Sequence, residues 1–145
     1  KRKKKGQQKK DLGNKVFSFC IPLPESRKRN GEEDISIEFL YSDKEIHTTL
    51  NNGCRLFFGD EFSARTGRHK NDKTLTLSNL SDRGKHKIVE NNGGQAVYNE
   101  QEENILAKKD DFANAISSGE IKISEESWNN FKPIFETIRS ILRKD

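Results

Sequence analysis

Three acidic residues have the types and spacing that a magnesium-dependent nuclease site needs. Glu38 lies in a stretch of alternating apolar residues, and Asp60 and Glu61 follow the apolar residues 54–58. Two or three converging carboxylates can hold Mg²⁺ beside a phosphate. Basic residues follow Glu61 closely, so acidic and basic side chains would meet near one loop. Glu38, Asp60 and Glu61 are the candidate catalytic residues; the alternative is that these carboxylates only face solvent.

A second group of residues has the composition of a phosphate-binding surface. Residues 65–87 carry seven positive and two negative charges, arranged on either side of a predicted strand at residues 73–77. Two basic turns in one segment are typical of contacts to a nucleic-acid backbone, although solvated loops are the alternative interpretation. The candidate nucleic-acid-binding residues are Arg65, Arg68, His69, Lys70, Lys73, Arg83, Lys85, His86 and Lys87.

The other motifs indicate neither a metal site nor a nucleotide site in this chain. Cys20 and Cys54 are far apart and have no histidine at zinc-ligand spacing, so we expect reduced, half-buried thiols. The glycines lack the Gly-Lys-Ser/Thr ending that cradles nucleotide phosphates. We therefore expect no cofactor and no bound metal here, and no catalysis by this chain alone.

Short strands must position these residues. Alternating or compact apolar patterns predict strands at residues 15–21, 35–41, 54–58, 73–77, 88–89 and 96–98, with the last two forming a hairpin across residues 91–94. The sequence Ser42-Asp43-Lys44-Glu45 matches a capping box, which predicts a short helix that buries Ile46 and Leu50 and stops at residues 51–53.

Two amphipathic helices are predicted at the end of the chain. One begins near Asp110 and stops at Gly119, and the other is capped by Ser124 and has Pro133 as a kink or as its true start. We expect the apolar stripe of the last helix to be core: Trp128, Phe131, Ile134, Phe135, Ile138, Ile141 and Leu142. Strands first and helices last predict an α+β fold, or the C-terminal end of an α/β domain.

The composition and charge pattern indicate how the chain divides into a tail and a folded domain. Its 145 residues are 34% charged and 30% hydrophobic, and residues 1–10 carry seven positive charges and no negative ones. We expect residues 1–14 to be a disordered basic tail or linker. Residues 15–145 would be one small domain or the C-terminal segment of a larger protein. The sequence contains no Met, which fits a processed chain, a trimmed chain or the end of a longer polypeptide. No apolar run suits a membrane span or a secretion signal, so we expect no membrane partner.

Five segments resemble the C-terminal portion of bacterial Toprim-type phage-defence nucleases of the overcoming-lysogenisation-defect kind. They are FSFCIPLPESR at 17–27, ISIEFLYSDKEI at 35–46, CRLFFGDEFSARTGRHK at 54–70, KKDDFANAI at 108–116 and NNFKPIFETI at 129–138. In that family the metal-binding glutamate and the Asp-x-Asp pair lie upstream of such a segment. The resemblance therefore implies that Mg²⁺ belongs to the parent protein, and it transfers no catalytic residue onto this chain. It also implies a bacterial, cytoplasmic setting.

Two functions follow from these observations. In the first, the chain is the non-catalytic C-terminal segment of a nucleic-acid-processing protein and supplies phosphate contacts and packing, with DNA or RNA as partner and an upstream domain. In the alternative, it is a non-enzymatic interaction module that holds a protein partner through its last helix or a sheet edge, or a basic nucleic-acid-binding module.

Overall fold

The computed structural model describes residues 9–28 and 36–143, and it confirms an α+β fold. The regular elements are β1 (Lys9–Asp11), β2 (Phe17–Phe19), α1 (Asp43–Ile46), β3 (Phe57–Phe58), β4 (Thr76–Leu77), β5 (Ile88–Val89), β6 (Val97–Tyr98), α2 (Lys109–Ser117) and α3 (Glu125–Leu142). Three 3-10 turns cover Glu25–Arg27, Ile37–Leu40 and Gly59–Glu61. The expectations for residues 1–8, 29–35 and 144–145 lie outside the described residues.

The strands pair as three antiparallel ladders, β1 with β2, β3 with β5, and β4 with β6. The predicted hairpin between residues 88–89 and 96–98 is wrong, because each of these strands pairs with an earlier one. The Asn91 amide donates to the Ala107 carbonyl at 2.9 Å, so the chain between β5 and β6 is drawn towards the segment before α2 and does not form a tight turn.

The first ladder includes residues that the sequence analysis assigned to the basic tail. β1 pairs with β2 in the register Lys9 to Phe19 and Asp11 to Phe17. The connecting turn has positive φ at Gly13, Asn14 and Lys15, which Gly adopts freely and Asn tolerates.

The predicted strand at residues 35–41 is wrong in the part that the structure describes, where a 3-10 turn replaces it. Arg27 explains the difference. Its Nε donates to the Phe39 carbonyl at 3.1 Å and its Nη2 to the Tyr41 carbonyl at 2.7 Å, so acceptors that a strand ladder would need are already used. The consecutive residues Phe39 and Leu40 are both buried, which the alternating faces of a strand do not allow at a half-exposed sheet.

The predicted capping box is confirmed. The Glu45 amide donates to the Ser42 hydroxyl, and the Ser42 amide donates to the Glu45 carboxylate at 2.9 Å. The helix is shorter than predicted, since α1 ends at Ile46 and not at residues 51–53. Ile46 and Leu50 are buried, as expected.

Two adjacent hydrophobic clusters meet at β3. Because neighbouring residues of a strand face opposite sides, Phe57 points into one cluster and Phe58 into the other. The Phe57 cluster also contains Phe62, Leu77, Val89, Val97 and Leu106. The Phe58 cluster also contains Phe39, Ile46, Leu50, Leu56, Ile88, Ala107, Phe112, Ala115 and Ile121. The turn after β3 is therefore anchored on both sides.

Both C-terminal helices form. α2 ends before Gly119, which has a φ of 82°, and the Ser124 hydroxyl accepts the Ser127 amide at the start of α3. α3 continues through Pro133, where the Thr137 hydroxyl donates to the Pro133 carbonyl at 2.8 Å.

The expectation that the apolar stripe of α3 is core is wrong. Four of its residues are exposed, by 52% at Trp128, 58% at Phe135, 39% at Ile138 and 69% at Leu142. The helix turns a partly polar face to the body of the protein, in which Ser127 and Thr137 are buried. Among the described residues, no helix is long and apolar enough to cross a membrane.

Candidate nucleic-acid interface

Glu61, at the end of the 3-10 turn after β3, is the most heavily contacted of the candidate carboxylates. Its Oε2 lies 2.8 Å from Arg55 Nη2 and 2.9 Å from His69 Nε2. Its Oε1 accepts the Phe58 amide at 2.7 Å and lies 3.1 Å from His47 Nε2. The side chain is only 15% exposed, so these contacts occur largely away from water.

These contacts keep Glu61 ionised. Burial by itself would raise the pKa of its carboxyl group. The nearby His47 ring nitrogen, the hydrogen bonds from Arg55 and the Arg55 charge outweigh burial and hold that pKa well below its usual range. Both oxygens already face cationic or N–H groups, an arrangement that does not fit a Mg²⁺ ligand. Glu61 therefore joins loops within the fold.

His69 is a predicted nucleic-acid contact that the structure places inside the protein. It is buried, and its Nδ1 accepts the amides of Asn71 at 3.2 Å and Asp72 at 2.9 Å. A ring nitrogen that accepts hydrogen bonds carries no proton, so the hydrogen-bond network assigns the proton to Nε2, which donates to Glu61. Both ring nitrogens are thus engaged within the chain.

The other two candidate carboxylates have separate partners. Asp60 Oδ2 lies 2.7 Å from His86 Nδ1, and the His86 ring packs against Phe58, with ring centroids 4.9 Å apart. Glu38 Oε2 lies 3.4 Å from Lys109 Nζ. Within residues 9–28 and 36–143, no group of three or more His, Cys, Asp or Glu side chains has the arrangement to hold a metal ion.

Two glycines bring the two predicted basic turns into direct contact. Gly67 has a φ of 72°, and a Cβ added to it would lie 2.5 Å from Nη2 of Arg83. Gly84 has a φ of 76°, and its added Cβ would lie 2.9 Å from the Ala64 Cβ. Glycine is therefore required at both positions by backbone conformation and by space. The turn at residues 63–70 packs on the turn at residues 82–87.

A third glycine, Gly59, packs the turn that carries Asp60 and Glu61 against the turn at residues 82–87. The Gly59 amide donates to the Lys87 carbonyl, and the Gly84 amide donates to the Gly59 carbonyl, both at 2.8 Å. A Cβ on Gly59 would overlap the Asp82 carbonyl and lie 2.7 Å from the Lys85 carbonyl. The Gly59–Glu61 turn and the turn at residues 63–70, which are neighbours in the sequence, thus both pack on the more distant turn at residues 82–87.

Arg83 is another predicted contact with an internal role. Its Nε and Nη2 donate to the Leu77 carbonyl at 3.0 and 2.6 Å, which ties the second basic turn to β4. Asp82 beside it is buried, accepts from the Gln95 side chain and lies 3.4 Å from Lys87 Nζ.

Three of the nine predicted contact residues, His69, Arg83 and His86, therefore hold the turns together. The remaining six are exposed, five of them on the packed turns and Lys73 three residues after the first turn. They are Arg65, Arg68, Lys70, Lys73, Lys85 and Lys87.

Sequence reasoning gave no role to Arg55 and His47, which complete the surroundings of Glu61. One signal was available for Arg55, because a charged residue inside a buried apolar stretch needs a partner. Its guanidinium also lies over the Phe57 ring, 3.5 Å from the centroid. His47 follows α1, and nothing in its local sequence indicates a contact with residue 61.

Comparison with known proteins found no matching family model, no matching curated protein and no matching solved structure. The resemblance to Toprim-type nucleases stays a prediction.

Proposed function

We propose that this chain binds the phosphate backbone of a nucleic acid through the six exposed cations of its two basic turns. The observation that carries the proposal is the packing of these turns on each other at Gly67 and Gly84. Because close packing and backbone hydrogen bonds hold the backbone of these turns, little conformational freedom is lost when the cations meet a row of phosphates.

The distribution of negative charge supports the same function. Within residues 65–87 the acidic residues are Asp72 and Asp82, and Asp82 is buried with a lysine and an amide as partners. Of the neighbouring carboxylates, Glu61 is paired with the Arg55 guanidinium. Few anions therefore offset the exposed lysines and arginines, and polyanion binding with counterion release is the expected behaviour.

The proposal assigns binding, and not cleavage, to this chain. Glu61 is engaged by Arg55 and two histidines, so phosphate contacts should need no divalent ion. A parent nuclease with its Mg²⁺ ligands upstream, a cytoplasmic location and a role in phage defence belong to the same proposal, and their support is the resemblance of the segments quoted above.

The test is fluorescence anisotropy with labelled duplex DNA and labelled RNA over a series of salt concentrations. The test variant carries Arg68→Gln, Lys70→Gln, Lys73→Gln and Lys85→Gln. The control variant removes the same charge elsewhere on the surface, with Lys44→Gln, Lys108→Gln, Lys122→Gln and Lys132→Gln. Both variants retain the basic residues 1–10, so any contribution from that segment is the same in both.

We expect the test variant to lose affinity and to show a shallower salt dependence, by about 0.9 in the logarithmic slope for each lost contact to duplex DNA. The control variant should bind as the unmodified chain does, and EDTA should change neither. Equal losses in the two variants would show that net charge, and not this surface, determines binding. If the unmodified chain binds neither the DNA nor the RNA at low salt, the proposed function is excluded.

A further inference from the structure

The exposed apolar residues of α3 form a continuous seam. Trp128, Phe135, Ile138 and Leu142 are separated by seven, three and four residues, with the half-buried Phe131 between the first two. Steps of three and four place side chains on one side of a helix, in the spacing that pairs helices. Eighteen residues make α3 about 27 Å long. Contiguous apolar surface of this kind marks an interaction site on soluble proteins.

Polar contacts on another side of α3 determine which way the seam points. The Ser127 hydroxyl donates to the Glu45 carboxylate, and the Ser124 amide donates to the same carboxylate. The Asn130 side chain donates to the Leu40 carbonyl at 2.9 Å. Phe131, at the edge of the seam, packs on the Tyr41 ring with centroids 5.1 Å apart. The other seam residues, Trp128, Phe135, Ile138 and Leu142, are left exposed.

We propose that α3 pairs with α3 of a second copy of this chain, in antiparallel orientation. The charges of the helix select both the partner and the direction. Glu125 in the first turn and Arg139 in the last turn both lie beside the seam, each seven residues from Lys132, whereas Glu126 lies on the opposite side of the helix. An antiparallel pair places the acidic end of each copy beside the basic end of the other, whereas a parallel pair would place like charges together.

Two-fold symmetry fits this arrangement, since the same surface serves both partners and each contact occurs twice. The seam contains Trp128 and Phe135, and large aromatic side chains supply much of the binding energy in protein interfaces. The inference is independent of the nucleic-acid proposal, because it uses none of the residues in the two basic turns.

The first test is sedimentation equilibrium of the full chain over a range of concentrations. We expect association from 16.7 kDa to twice that mass. Phe135→Glu and Leu142→Glu should each weaken association by about 30-fold or more. Asn129→Glu places the same charge on α3 away from the seam and should leave association unchanged. Circular dichroism confirms that each variant keeps its helices.

The second test addresses direction and partner. A Glu125→Lys chain and an Arg139→Glu chain should each associate weakly alone, and should associate with each other when mixed. Unmodified chain that stays monomeric at every concentration overturns the proposal, and so does association that tolerates Phe135→Glu. If Asn129→Glu weakens association as much as Phe135→Glu does, the proposal is also overturned, because the seam would then not be the contact.

Discussion

His69 donates its Nε2 hydrogen to Glu61 at 2.9 Å while its Nδ1 accepts the Asp72 amide at 2.9 Å. One imidazole thereby connects the carboxylate turn after β3 to the first basic turn. With its hydrogen on Nε2 only, the His69 ring brings no positive charge to this contact. The negative charge of Glu61 is balanced by Arg55. The stability of the proposed binding surface should therefore depend on Glu61, and the following predictions test how.

Glu61→Gln should destabilise the protein by about 3 kcal/mol, because it leaves the largely buried Arg55 guanidinium without its counter-charge. Urea unfolding followed by circular dichroism measures the change. Glu100→Gln alters an exposed carboxyl group and should stay within about 0.5 kcal/mol of the unmodified chain. A Glu61→Gln chain as stable as this control would mean that the pair contributes nothing.

Acid should remove the contribution of Glu61. Its pKa in the folded chain is lowered, so the stabilisation is fully present above the unfolded pKa of about 4.3 and is lost as pH falls towards the folded value. The free-energy difference between the unmodified chain and Glu61→Gln should therefore be largest near neutral pH and shrink below about pH 5. Urea unfolding at several pH values measures it, and a difference that grows in acid would contradict the sign.

Gly59→Ala should destabilise the protein by about 3 kcal/mol, since the new Cβ would overlap the Asp82 carbonyl, and main chain there must move. Gly94→Ala is the matched control, because its Cβ would meet only the Asn92 side chain at an ordinary 3.5 Å. Thermal unfolding of the two variants compares them. Similar melting temperatures would show that the three turns are not closely packed.

Arg27→Lys should cost about 2 kcal/mol although the charge is kept. Lysine has no planar fork and cannot reach the Phe39 and Tyr41 carbonyls and the Asp43 carboxylate together. Arg68→Lys changes an exposed arginine in the same way and should be close to neutral. The measurement is the urea midpoint of each variant, and an unaffected Arg27→Lys chain would leave the 3-10 turn at Ile37–Leu40 without its explanation.

The sequence by itself determined the features that depend on contacts within a few residues. The capping box of Ser42 and Glu45, the cap of α3 at Ser124 and the end of α2 before Gly119 all form within one helical turn. Their geometry therefore needs no distant partner. The concentration of basic residues between positions 65 and 87 is equally a property of the sequence.

Only the tertiary structure decided which residues of these turns face outwards. His69 and Arg83 have the same local surroundings as the exposed Lys70 and Lys85, yet Glu61 holds His69 in the interior and the Leu77 carbonyl holds the half-buried Arg83 against β4. The sequence also left undetermined which strands pair, because a short apolar pattern predicts a strand but not the strand beside it. The exposure of α3 likewise depends on which of its faces meets Glu45 and Leu40. Such choices rest on the whole set of buried contacts, which local periodicity does not contain.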